Sequence, residues 1–206
     1  LHRGSLDGLK SKRIAGQLRI RIGERLCFAR LVETCLPGTD VTVYLIEHKG
    51  FFDRPDIYAG PKGDFPDNAE RSFALCRSAL DLPRLVDWTP EVYHSHDWMA
   101  AALPACLNAT PSVKGQARVA ASVLTIHNLE HQGSFSSEKF AISNLPESYF
   151  QMEGFEHFGR INLLKGGIQH ADKISTVSPT YAEEIRTEPH GHGLDPSLVY
   201  RAADLV

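Results

Sequence analysis

Long apolar runs are absent. No stretch approaches the ~18 consecutive apolar residues that a membrane-spanning helix needs, so a membrane is not an expected partner. Cysteine is sparse. Cys27, Cys35, Cys76 and Cys106 lie far apart and form no C-x-x-C pair. That spacing argues against a disulfide framework or a zinc site and for reduced thiols in a cytosol-like compartment. Charge of one sign never accumulates: the net charge is −3 over 206 residues. The nearest thing to a basic run, LKSKRIAGQLRIRIGER at 9–25, scatters its charges among apolar residues, as a solvated strand face does. Nucleic acid is therefore not an expected partner. No Walker P-loop is present, and no G-x-G-x-x-G follows a strand. LLKGGIQHAD sits within a helical pattern and GHGLD follows a helix, so a dinucleotide site lacks its context. Repeats and low-complexity tracts are missing too. The chain opens at Leu1 without a charged, apolar leader, which reads as a removed segment or a fragment.

What is present is a globular chain with 42% hydrophobic residues, enough for one domain with a real core. The first 50 residues alternate as strands: LRIRIG, RLCFARLVE and VTVYLIEH, with CLPGTD as a turn. FFDRPDIYAGPKGDFPDN, rich in Gly, Pro and Asp, reads as an irregular connection. A helix then begins, with Asp67 as N-cap, Glu70 at capping-box spacing, and Phe73, Cys76, Ala79 and Leu80 as its apolar stripe. From there strand and helix alternate. EVYHSHD, RVAASVLTIHN and DKISTVS read as strands; WMAAALPACLNA, FEHFGRINLLKGGIQHA and PTYAEEIRT read as helices, the second with Phe155, Phe158, Ile161 and Leu163 or Leu164 inward. Continuous apolar strands between helices predict an α/β fold with a parallel sheet flanked by helices.

Polar residues gather just beyond three strands: His94-Ser95-His96-Asp97-Trp98, then His127-Asn128, then Ser178-Pro179-Thr180-Tyr181. Ligands of open parallel sheets bind beyond the carboxyl ends of the strands, so neighbouring strands would converge these clusters on one crevice. Each cluster also has a plainer explanation. Ser178 and Pro179 suit a helix N-terminus, and Asp97 suits the cap of a helix starting at Trp98. His127-Asn128 suits a turn, and Trp98 suits the core. His94-x-His96 puts two imidazoles on one strand face, a spacing that can chelate zinc with His127 or a carboxylate, as in a metal-dependent hydrolase. The other histidines, His131, His190 and His192, lack ligand spacing.

Taken in order, these segments resemble bacterial glycogen synthase and plant starch synthase. FFDRPDIY resembles the family's Phe-Asp-Arg-x-x-x-Tyr segment, and DNAERSFALCRSAL its Asp-Asn-x-x-Arg-Phe helix. VYHSHDWMAAALP carries the His-x-His-Asp-Trp motif, and VLTIHNLEHQGSF the His-Asn and Gln-Gly loop. LPESYFQMEGFEHFGRINLLKGGIQHADKISTVSPTYAEEI and GHGLD complete the match, which covers roughly 40–206. Three departures stand out. The family's Lys-x-Gly-Gly-Leu loop is not found, and DGLKSK does not replace it. Phe73 falls one residue late, with Ser72 in its place, and Met99 follows the motif Trp where His or Gln is frequent.

The resemblance implies that residues 1–206 are a single, partial N-terminal catalytic domain of GT-B type, with a Rossmann-like parallel sheet and no C-terminal nucleotide-binding domain. It implies retaining transfer of glucose from ADP-glucose, or UDP-glucose, to an α-1,4-glucan acceptor. It implies no cofactor and no metal, and a bacterial cytoplasm or a plant plastid as location. Carried over by position, Asp97 and His127 take the catalytic places. Asn128, Trp98, His96, Gln132, Gly133 and Tyr181 take substrate-binding ones, Trp98 and Tyr181 more as packing. A partial domain is expected to be inactive by itself and to self-associate through an open sheet edge. A non-catalytic glucan- or partner-binding relic of the same fold is the alternative reading.

Overall fold

A computed structural model describes residues 10–110 and 120–206. The start of LKSKRIAGQLRIRIGER, the first half of DGLKSK and the first two residues of RVAASVLTIHN lie outside them. The chain divides into two compact units, Leu1–Thr89 and Pro90–Val206.

The first unit is built on antiparallel strands β1 (Lys12–Arg13), β2 (Leu18–Ile22), β3 (Arg25–Cys35) and β4 (Thr42–Glu47), with β3 pairing the other three. Alternation dictates the faces of β2: Leu18, Ile20 and Ile22 are buried while Arg19 and Arg21 are exposed. The segment that follows is more ordered than its composition suggests. It holds α1 (Lys49–Phe52) and a hairpin of β5 (Ala59–Gly60) and β6 (Gly63–Asp64). Helix α2 (Asn68–Asp81) fixes that segment through two polar side chains. Arg71 donates to the Phe51 carbonyl at 2.7 Å, and Asn68 donates to the Tyr58 carbonyl at 2.9 Å. Phe73 and Cys76 are fully buried; Ala79 and Leu80 are only half-buried. Asp67 occupies the N-cap position but makes no side-chain cap bond. Its carboxylate accepts from the Arg54 guanidinium at 2.6 Å instead, because an ion pair outbids a neutral amide for the same oxygen.

The second unit carries the parallel sheet. Strand β7 (Val92–His96) leads to α3 (Asp97–Ala100) and α4 (Leu103–Asn108), then to β8 (Ala121–Ile126). The apolar run WMAAALPACLNA thus forms two short helices, with Pro104 in the first turn of the second. Strands β9 (Ser134–Ser136), β10 (Glu156–His157) and β11 (Arg160–Asn162) form a small antiparallel sheet. Helix α5 (Leu163–His170), strand β12 (Lys173–Thr176), α6 (Pro179–Glu184) and α7 (Asp195–Tyr200) follow. The order β12-β8-β7 is parallel throughout, and Leu124, Ile126 and Ile174 are fully buried.

A further expectation fails. Residues 155–162 do not belong to the helix read from FEHFGRINLLKGGIQHA. They form the β10–β11 hairpin, which turns at Phe158-Gly159 with positive φ at both, and the helix starts only at Leu163. Phe155 and Ile161 are buried as expected, yet Phe158 is 86% exposed.

Backbone-level contacts lock this unit. A methyl group on Gly167 of α5 would lie 2.6 Å from the Ala101 carbonyl oxygen, so the helix meets the α3–α4 junction at a distance only glycine allows. The Asp172 carboxylate accepts the Ser122 N–H at 2.6 Å and its hydroxyl at 2.9 Å, tying the start of β12 to β8. Arg201 donates to the carbonyls of Ile168, Gln169 and Ala171 at 2.6, 2.8 and 2.5 Å, satisfying the C-terminal end of α5.

His170 lies in this junction, stacked on Tyr149 with ring centroids 4.6 Å apart, and its Nε2 is buried without a hydrogen-bond partner. Burial, reinforced by the Arg201 charge, pushes its pKa from 6.5 down to about 4. Between those values the unfolded chain binds a proton that the folded chain refuses. Its contribution to stability is therefore full above pH 6.5 and is lost as pH falls toward 4. After allowance for residual solvent contact, the loss is on the order of 2 kcal/mol. Denaturant melts across that window are expected to show a shallower pH slope for His170→Phe than for wild type; equal slopes would refute the assignment.

Candidate active site

The register of β7, β8 and β12 aligns their carboxyl ends. His96 lies opposite Thr125, and Ile126 lies opposite Thr176. The next residues on the three strands, Asp97, His127 and the turn to Ser178, therefore emerge at one end of the same sheet. The three clusters expected from the sequence are neighbours.

Asp97 and His127 form the most specific contact there. The His127 backbone N–H donates to Asp97 Oδ1 at 2.8 Å, and His127 Nδ1 lies 3.0 Å from Oδ2. Asp97 does not act as a helix cap: it is the first residue of α3, in a left-handed conformation with φ +54. Asp and Asn tolerate that region better than most residues, which suits an aspartate here. An ionised carboxylate only accepts, so Nδ1 carries the hydrogen and Nε2 is left as the ring's remaining polar atom.

The histidine rings stand in a row. His94 and His96 have centroids 4.2 Å apart, and His96 and His127 5.3 Å. Crowding removes water from His96, which lowers its pKa; the adjacent His94 and His127 add to that and Asp97 opposes it. His96, the middle ring, is thereby biased against carrying positive charge. His94 Nε2 is engaged by Thr125 Oγ1 at 2.6 Å, which in turn contacts Ser175 Oγ at 2.7 Å. Among the described residues no group of three His, Cys, Asp or Glu side chains is arranged to hold a metal ion.

The remaining expected residues divide by role. Asn128 is exposed, and its Oδ1 accepts the Glu130 N–H at 2.9 Å, an Asx turn that shapes the loop. Tyr181 holds that loop from the other side: its hydroxyl accepts the Leu129 N–H at 3.0 Å. Ser178 caps α6 by accepting the Tyr181 N–H at 3.0 Å, as expected. Trp98 is core, 7% exposed. Gly133, with φ +64, lies so close to Trp98 that a Cβ there would fall 2.5 Å from its ring. Gln132 bridges two elements, accepting from Asn162 Nδ2 at 2.6 Å and donating to the His192 carbonyl at 3.0 Å. Trp98, Tyr181, Gln132 and Gly133 thus position the strand-end loops.

Sequence reasoning missed the Thr125–Ser175 pair and the Asn162–Gln132–His192 bridge. The first has a weak signal, a lone Thr inside the apolar run VLTI. The second has none, because it joins residues 30 and 60 apart in sequence.

Comparisons with known proteins agree with this architecture. Residues 7–200 match the family model described as the starch synthase catalytic domain. The chain is 39% identical over 184 residues to glycogen synthase 1 of Geobacter metallireducens, covering 89% of this chain and 36% of that protein. It is 40% identical over 175 residues to glycogen synthase of Thermotoga maritima, covering 85% of this chain and 35% of that one. Among solved structures, the catalytic domain of starch synthase IV from Arabidopsis thaliana, bound to ADP and acarbose, superposes with a TM-score of 0.85 at 25% identity. That match covers 97% of this chain and 41% of the other. The chain spans about a third of the length of the curated relatives it matches.

Nitrogen NMR of the histidine side chains at pH 8 is expected to find the hydrogen of His127 on Nδ1. In Asp97→Asn, which keeps a residue suited to positive φ, the amide should disturb that preference and shift the Nδ1–H population toward Nε2–H. A His127 hydrogen on Nε2 in wild type would contradict the geometry.

Proposed function

The chain belongs to the starch synthase catalytic-domain family, and on that premise we propose that it is the acceptor-side part of a glycogen or starch synthase. The whole enzyme transfers glucose from a nucleotide-glucose, ADP-glucose in this reading, to the non-reducing end of an α-1,4-glucan with retention. The observation that carries the proposal is the Asp97–His127 pair at the shared end of three parallel strands. ADP and acarbose in the plant relative supply a nucleotide and a sugar ligand of the kinds this reading needs.

Retaining transfer passes through an oxocarbenium-like state, and a fixed carbonyl dipole or carboxylate beside the sugar stabilises its positive charge. Asp97 holds the His127 backbone and ring together. The pair therefore presents a fixed dipole and a fixed ring nitrogen, with no reorganisation needed as charge develops. His96, kept below the usual histidine pKa, adds a neutral hydrogen-bonding edge rather than a repelling cation. Asn128 extends the polar rim. The departing diphosphate requires cations, and this reading assigns them to a second domain. No cofactor and no metal enter the scheme.

A second consequence concerns the chain alone. In this reading the diphosphate site belongs to another part of the enzyme, so the isolated chain transfers glucose at no more than a trace rate. It still binds acceptor. Titrated with maltoheptaose, the chain is expected to show saturable NMR shifts at His96, His127 and Asn128, with at least about fivefold weaker binding in Asp97→Asn, the loss of one charge-assisted contact. Robust transfer from ADP-glucose by the isolated chain would refute its dependence on further residues. Shifts confined to distant residues would refute the site.

A further inference from the structure

The hairpin between β10 and β11 turns on Phe158 and Gly159, with φ +50 and +73. Two left-handed residues define the tight turn favoured between antiparallel strands, and Asn-Gly is its natural sequence. Glycine fits without strain; a bulky aromatic residue does not. Such strain ordinarily marks a residue kept for something other than the fold. Burial does not compensate here, because Phe158 is 86% exposed, more than any other large apolar side chain described.

The turn is held firmly. The Glu156 carboxylate accepts the Gly159 N–H at 2.7 Å. Arg160 donates to the Ser134 hydroxyl at 2.9 Å, and buried Lys165 donates to the carbonyls of Met152 and Glu156 from α5. His157 leans against the Phe158 ring with centroids 4.4 Å apart. A Cβ on Gly193 would sit 3.9 Å from Phe158 Cε2, so the ring runs alongside the 191–194 turn. The neighbouring His192 carbonyl receives the bond from Gln132, whose loop leads back to His127. A strained, rigid, solvent-facing ring is thus tied through one turn to the strand-end site.

We propose that Phe158 is a stacking platform for a glucose unit of the acceptor glucan, away from its reacting end. The inference rests on the acceptor reading above. The apolar face of a glucose ring matches an exposed aromatic face, and a platform fixed beforehand loses little freedom on binding. The 191–194 turn and the Gln132 loop stand between the ring and the strand ends, so the platform serves a longer acceptor rather than a disaccharide.

Phe158→Asn tests it, because Asn accepts the left-handed backbone and leaves the turn at least as stable. Phe158→Tyr keeps the ring. Affinities for maltose and maltoheptaose are measured by NMR titration of the 206-residue chain, with thermal melts alongside. We expect Phe158→Asn to bind maltoheptaose roughly fivefold more weakly, with maltose unchanged and melting temperature kept or raised. Phe158→Tyr should stay within about twofold of wild type for both sugars. Unchanged maltoheptaose affinity in Phe158→Asn, or equal loss for both sugars, overturns the platform alone. A wild type that binds neither sugar overturns the acceptor reading and the platform with it.

Discussion

The in-register parallel pairing of Val92–His96, Ala121–Ile126 and Lys173–Thr176 is the constraint on which the site depends. A parallel ladder fixes not only which strands are neighbours but where each one ends. Here it brings Asp97 and His127, 30 residues apart in sequence, to hydrogen-bonding distance. Slippage by one residue would turn the side chains of the shifted strand to its other face. The Asp172 contacts to Ser122 and the glycine-level approach of α5 to Ala101 hold that register from outside the sheet.

Around this frame, polar groups that are buried (Lys165, Asn162) or half-buried (Gln132) carry the shaping of the loops. Lys165, Asn162 and Gln132 are not surface ornament. Each spends its donors or acceptors on backbone or side chains of a different element. Unsatisfied, the buried Lys165 and Asn162 would each cost roughly 1–3 kcal/mol, so their pairing selects one loop arrangement over its alternatives. The same logic explains why Trp98 and Tyr181, which match motif positions of the family, face inward. Trp98 fills the space above Gly133, and Tyr181 anchors the backbone at Leu129.

Much of this was legible in the amino-acid order. The strand-helix alternation after residue 90, the Ser178 cap and the clustering of His96, Asp97, His127 and Asn128 all follow from periodicity and chain chemistry. Two local rules gave way to tertiary ones. Phe155, Phe158 and Ile161 keep a helical spacing, yet the chain there turns back on itself, because strand β9 offers β11 a pairing partner that sequence spacing does not reveal. Asp67 stands at a cap position yet pairs with Arg54, and Asp97, which suits a cap by its chemistry, is instead the first residue of α3 and pairs with His127. The motifs gave the family; the distances between them required the fold.

The central claim is that the strand ends around Asp97 and His127 bind sugar. The most direct measurement is a crystal structure of the chain grown with maltoheptaose. The account predicts sugar density within hydrogen-bonding distance of His127 and Asn128. Ordered oligosaccharide bound elsewhere, with the strand ends filled only by water, would contradict it.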